Sequence, residues 1–349
     1  MRLHRGVMDG LAREAPSLRD VQKALQLAIE LEHSTIPAYL YAYYSLDPQA
    51  NAAAAGILKS IAVEEMLHMA LAANVLSAIG GQPAISSPQF VPTYPGPLPG
   101  GVEGQLVVGL RRLDAVQLDA FIDLEQPRHH VSDAADVGRV GGVTIGEFYL
   151  SIAEALGRLG PEVFTGSPRR QIGPDLIFGA VVVSDPASAA AALAVIIEQG
   201  EGTGSSPLEV AGYGGNDVAH YYRLLEIRQG RRLVPDPAGR DGYSYTGEAC
   251  GVDPNGVWAL PENPTSRTYR PRSRVAELND TFNADYTHLL DVLHAFTNGR
   301  ANAATLERAI GMMKGLDETA RALVAAGLDD GRMAGPTFEW VLGVLNPVP

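Results

Sequence analysis

The chain has one cysteine, Cys250, in 349 residues. An internal disulfide is therefore excluded, and a reducing cytosol is the expected compartment. Long apolar runs are lacking too. The strongest, LIFGAVVV, falls far short of the roughly 20 residues a membrane-spanning helix needs. The opening MRLHRGVMDGLAREAP has no continuous apolar stretch, so no secretory signal is expected. Positive charge is scarce: 27 Lys and Arg stand against 40 Asp and Glu, a net charge of −13. That balance argues against a nucleic-acid partner. What is present is apolar material, 46% of residues against 19% charged, enough for a sizeable core. The expectation is a cytoplasmic protein with neither a nucleic-acid nor a membrane partner.

Two long periodic segments open the chain, from about Leu18 to Leu46 and from about Asn51 to Ile79, joined by DPQA. So short a turn predicts an antiparallel helical hairpin, and GGQP stops its second arm. A proline-rich crossover follows (AISSPQFVPTYPGPLPGGVEG), then QLVVGL, which alternates like a strand, and DAVQLDAFIDLE, a short helix. Helical periodicity recurs near 144–158, 186–199 and 216–229. Residues 231–275, rich in Pro, Gly, Tyr and Arg, read as a long loop before a second helical hairpin at 277–298 and 302–326. No internal repeat and no linker of distinct composition divides the chain.

The chemistry shows as an anomaly of polarity. Along the second helix one stripe reads Ile57, Ile61, Glu65, His68, Ala72, Val75 and Ile79. A carboxylate and an imidazole thus fall on a core-facing line, where an uncompensated charge costs several kcal/mol. The first helix repeats the pattern: Val21, Leu25, Ala28, Glu32, Ile36, Tyr39 and Tyr43, with Pro37 predicting a kink beside Glu32. Glu32 and Glu65 both sit mid-helix, so antiparallel packing brings them level. A Glu facing Glu-x-x-His is half of a dimetal carboxylate site, because residues three apart share a helix face and can reach one metal or its bridge. Glu64, one position off the stripe, is expected to face solvent.

The second half-site has several candidates. Asp217-x-x-His220 is a variant of the same pattern, and Glu201 ends the preceding helix, where it would lie level with Asp217 and His220. Glu147 opens another helix; it is a third candidate acid or simply complements that helix's N-terminal dipole. Asp285-x-x-His288 and Asp291-x-x-His294 lie beside the apolar line of the last hairpin, which assigns them to the surface or a pocket rim.

The stretches LAIELEHSTIPAYLYAYYSL, VEEMLHMALAANVLSAIGGQP, PTYPGPLPGGV, TIGEFY, QGEGT and HYYRLLEI resemble the ferritin-like domain of the iminophenylpyruvate dimer synthase type. That domain occurs in violacein and indolocarbazole pathway enzymes and in smaller bacterial relatives. The resemblance covers roughly residues 18–300. It implies a mainly α fold: a ferritin-like helical bundle with long irregular loops and an additional C-terminal helical hairpin. It places the metal-binding bundle at 18–230, with 231–349 packed on the same domain. Glu32, Glu65, His68, Glu147, Glu201 and His220 become the implied metal positions, with Asp217 where another acid is expected. The chain is much shorter than the enzymes that couple two imines, so the resemblance carries the scaffold further than that reaction.

The expected function is therefore a dioxygen-using oxidoreductase holding two Fe ions, acting on a small, amino-acid-derived metabolite. Mn or Zn suits the same ligands. Iron storage without organic turnover, an imine-coupling synthase of secondary metabolism, and a metal-free binding module are the alternatives. Tyr39, Tyr43, Tyr221 and Tyr222 are candidates for a pocket wall or for packing, and Arg223 for supporting a ligand or anchoring a substrate carboxylate. Segments 83–104 and 231–275 exceed what a bare bundle needs. They are expected to fold over the metal site and make an organic pocket.

Overall fold

The computed structural model describes residues 2–3, 5–101, 106–127, 143–202, 206–208, 218–239 and 242–342. Helix α1 (Leu18–Tyr44) starts where the Ser17 hydroxyl accepts the Asp20 amide at 3.1 Å, satisfying a donor the first turn leaves unpaired. Pro37 lies inside α1 without ending it. Helix α2 (Ala52–Ala78) returns antiparallel after a short turn. Asn51 stands at that turn and donates to the Gly256 carbonyl at 2.9 Å. A side chain at Gly256 would meet Ala50 and Asn51 at 2.6 Å, so only glycine permits this approach.

Helices α3 (Ala115–Leu124), α4 (Ile145–Leu159), α5 (Pro186–Glu201) and α6 (His220–Gln229) follow. α1 packs on α2 and α4 on α5, while α2–α5 and α1–α4 contacts close a four-helix bundle. α3 and α6 lie together, and α6 also touches α2 and α5. The C-terminal hairpin, α7 (Arg274–Thr297) and α8 (Ala303–Ala326), packs α8 against α1 and α7 against α2. Strands are minor: β1 (Arg2–Leu3) pairs with β2 (Val143–Thr144), and β3 (Val234–Pro235) with β4 (Tyr243–Ser244).

QLVVGL departs from its alternating pattern. Val108 makes an isolated bridge to Gly96 and Val107 is half exposed; alternation becomes a strand only where a neighbouring chain supplies a ladder. Among the described residues only α2 has the length and hydropathy to cross a membrane, and 83% of that window is buried inside the fold, as befits a central bundle helix.

Candidate metal centre

At the level where α1 and α2 face each other, the polar residues of both apolar stripes meet. Glu32, Glu65 and His68 bring one ligand atom each within 4.8 Å of one another, and so do Glu65, Glu125 and His220. All five residues are buried, and Glu65 belongs to both groups. His68 Nδ1 lies 3.5 Å from Glu32 Oε2 and 3.8 Å from Glu65 Oε1. His220 Nδ1 lies 3.0 Å from Glu65 Oε1 and 3.7 Å from Glu125 Oε2. α1 supplies Glu32, α2 supplies Glu65 and His68, α3 ends in Glu125, and α6 begins with His220.

The outer atoms of these side chains are all engaged. His68 Nε2 sits 2.9 Å from Gln199 Oε1 and His220 Nε2 sits 2.8 Å from Glu64 Oε2. A neutral imidazole that donates from Nε2 to those acceptors turns its Nδ1 lone pair toward the carboxylates. Tyr149 donates to Glu32 Oε1, Tyr39 to Glu125 Oε1 at 2.6 Å, and Thr35 to Glu65 Oε2 at 3.0 Å. Arg223 donates to Glu64 Oε1 at 3.0 Å and to Oε2 as well.

Three carboxylates and two inward lone pairs make a site of excess negative charge, and a cation suits it. His220 Nδ1 is buried without a hydrogen bond of acceptable geometry despite its close carboxylates. Nitrogen and carboxylate donors without thiolate suit iron, manganese or zinc. Protons occupy the site otherwise. Burial, with Glu32 and Glu125 alongside, pushes the Glu65 carboxyl up to about 8. Burial opposes the charged forms of His68 and His220, yet the surrounding carboxylates outweigh it and raise both. Burial likewise opposes ionisation of Glu64, but His220 and Arg223 hold it down at about 2.

The sign for stability follows from proton binding. Between the ordinary 4.5 and about 8 the folded state holds a proton on Glu65 that the unfolded chain releases. Above 6.5 the same holds for His68 and His220. Stability of the metal-free protein should thus fall as pH rises through this window. Thermal melts of chelator-treated protein are expected to drop by several degrees from about pH 5 to about pH 8, and metal loading should flatten the slope. A melting temperature that climbs over this range would mean Glu65 is ionised in the metal-free fold.

Two of the other candidate acids hold backbone amides at the start of α4. Glu147 lies outside both clusters: it closes a capping box, accepting the Thr144 amide at 3.0 Å while Thr144 Oγ1 accepts the Glu147 amide at 3.1 Å. Glu201 Oε1 accepts the Gly146 amide at 2.7 Å, at the positive end of α4. Glu201 edges the cavity beside the triads but joins neither cluster. Asp217 lies outside the described residues. Glu64 is a correction: its side chain is only 20% exposed and braces His220.

Glu125 was missed by sequence periodicity. Its signal is an acid at a helix C-cap, where the dipole disfavours negative charge. Arg223 serves Glu64, and Tyr39 serves Glu125. Tyr221 and Tyr222 pack edge to face in a small apolar cluster. His294 Nδ1 sits 3.1 Å from the Pro83 carbonyl, and neither His288 nor His294 joins a cluster.

The cavity at the triads is small, about 30 Å³, room for about two water-sized molecules. Its walls are Leu31, Leu124, Ile145, Ile196, Ile197 and the helix ends at Gly146 and Gly200. The expected loop cover is not what forms them, since no described residue of 83–104 or 231–275 lines it. The first segment lies on another face of α1, where Tyr94 donates to the Ser34 carbonyl at 2.7 Å and Phe90 stacks on His33. The second wraps the α1–α2 tip and the outer side of α1, where Tyr41 donates to the Pro261 carbonyl at 2.6 Å.

A family model described as ferritin-like matches residues 25–229, more than half of the chain. The crystal structure of a ferritin-like protein from Caulobacter vibrioides superposes with a TM-score of 0.60 at 21% identity, covering 93% of this chain and 99% of that one. At that identity the likeness speaks for the fold. No curated protein matches the chain.

Proposed function

We propose, for a chain that belongs to the ferritin-like family, that the two triads hold a pair of transition-metal ions, iron first, and that the pair activates dioxygen to oxidise a small organic metabolite. The observation that carries this reading is Glu65, buried and shared by two groups that each add one carboxylate and one imidazole. A shared carboxylate suits a bridge between two cations. Bound iron would supply the electrons that reduce dioxygen and the oxidising capacity passed to the substrate.

The chain's own part is positioning. Gln199 and Glu64 fix the two imidazoles with Nδ1 inward; Tyr149, Tyr39 and Thr35 hold the carboxylates from outside. His220 and Arg223 together keep Glu64 ionised against its burial, and Glu64 in turn fixes the orientation of His220. The apolar walls exclude bulk water, which strengthens every one of these interactions. The resemblance to the iminophenylpyruvate dimer synthase type supports an amino-acid-derived substrate.

One observation favours a second reading. The cavity at the triads has room for dioxygen but not for an organic molecule among the described residues, which suits iron oxidation and binding without organic turnover. Anaerobic loading with ferrous iron followed by exposure to dioxygen separates the two. The oxidase reading expects uptake to stop at about two irons per chain, with dioxygen consumed in a single turnover whose rate responds to substrate. Iron accumulating well past that ratio would make storage the better account. No stoichiometric iron, manganese or zinc would end the dimetal reading.

A further inference from the structure

A second and larger cavity, about 320 Å³, opens on a different face of the same two helices. It falls within the roughly 300–1,000 Å³ range of ligand pockets. α1, α2, α7 and α8 all contribute walls, with Ile36, Met66, Met69, Leu290, Met313 and Phe338 typical of them. Three methionines, Met66 and Met69 on α2 and Met313 on α8, give an adaptable apolar lining that accepts chains of varied shape. Part of the lining is polar: His33 and Tyr286 contribute to it, and His33 Nδ1 is buried without a hydrogen-bond partner. His33 Nε2 and the Tyr286 hydroxyl are 2.7 Å apart.

Where the cavity meets solvent the chemistry changes sign. Lys59 and Lys314 are exposed lining residues on opposite walls, α2 and α8. The Lys59 ammonium lies 5.9 Å from the centre of the Tyr43 ring, and the Arg321 guanidinium 5.1 Å from it. The acid among the described lining residues, Asp317, is engaged by Arg321 at 3.0 Å. On a chain of net charge −13 this rim is a local positive spot. An apolar barrel with a cationic mouth matches a molecule with a long apolar tail and one anionic head.

We propose that the cavity between α1–α2 and α7–α8 binds an elongated aliphatic monocarboxylate of fatty-acid chemistry, its tail among the methionine and leucine walls and its carboxylate between Lys59 and Lys314. The triads lie on another face of the helix pair, so occupancy does not require metal.

Calorimetric titration of the intact chain with octanoate, decanoate and dodecanoate, below their micelle thresholds, tests this. Affinity is expected to rise about fourfold per added methylene. Ala73→Phe, which fills the cavity from α2, should weaken decanoate at least about tenfold and leave metal content unchanged. Lys314→Glu, an exposed change that the fold tolerates, should weaken decanoate about fivefold and leave decanol untouched. Absence of saturable binding, affinity indifferent to chain length, unchanged binding in folded Ala73→Phe, or equal effects of Lys314→Glu on decanol and decanoate would each overturn the proposal.

Discussion

Glu65→Gln is expected to lower bound transition metal from about two ions per chain to less than one and to make the metal-free protein more stable at alkaline pH. The two effects have one cause. The Glu65 carboxylate stands 3.0 Å from His220 Nδ1 and 3.8 Å from His68 Nδ1, so neither triad keeps more than one carboxylate and one imidazole without it. The same carboxyl is pushed up to about 8 by burial and by Glu32 and Glu125. A neutral amide of equal volume removes that repulsion and opens no cavity. Metal analysis and thermal melts on one preparation read both effects. Glu147→Gln is the control: glutamine at this position still closes the capping box with Thr144, so fold stability and metal content should both be left alone. Unchanged metal in Glu65→Gln, or metal lost in Glu147→Gln, would show that the triads have been misread.

The second large effect is expected at Glu125. Glu125→Gln should leave about one metal per chain, because the Glu32–Glu65–His68 group stays whole, and should abolish the dioxygen reaction that needs the pair. Tyr39→Phe removes only the 2.6 Å hydrogen bond to Glu125. It should weaken the second metal by about 10- to 100-fold without disturbing the first. Competition with a graded chelator measures this directly. Equal loss of both metals in Tyr39→Phe would overturn this assignment, because the stack of the ring on Phe121 at 4.2 Å is kept in the variant and the hydrogen bond would then support the whole site, not the Glu125 side alone.

The His33–Tyr286 pair shows how the same helices serve two faces. Glu32 turns into the triads while His33, one residue on, turns toward Phe90 and the C-terminal hairpin. A helix rotates about 100° per residue, so adjacent polar residues on a buried helix reach separate environments. Glu64 and Glu65 divide likewise: Glu65 joins the clusters and Glu64 braces His220 from outside.

Local pattern determined the helical frame and pointed to four of the five residues of the two triads. α1 and α2 begin and end within two residues of the periodic segments read at 18–46 and 51–79. Glu32, Glu65 and His68 were visible because a polar side chain on an apolar stripe breaks a period that the eye and the physics both follow. His220 was visible for the same reason at the start of α6. Tertiary structure decided the rest. Glu125, at the end of a short helix with no long stripe around it, becomes part of the site only because α3 lies beside α6, which in turn touches α2. Gln199, Tyr149 and Tyr39 look like ordinary core residues until a neighbouring helix brings a ligand atom within hydrogen-bond reach. Glu147 and Glu201 carry the residue type of ligands, yet their carboxylates meet backbone amides at the start of α4. The proline-rich segments were legible as long loops but not as to where they pack, because loop placement depends on distant partners such as Pro261 with Tyr41. Periodicity is a property of one helix; a site that gathers side chains from four of them is a property of how those helices are packed.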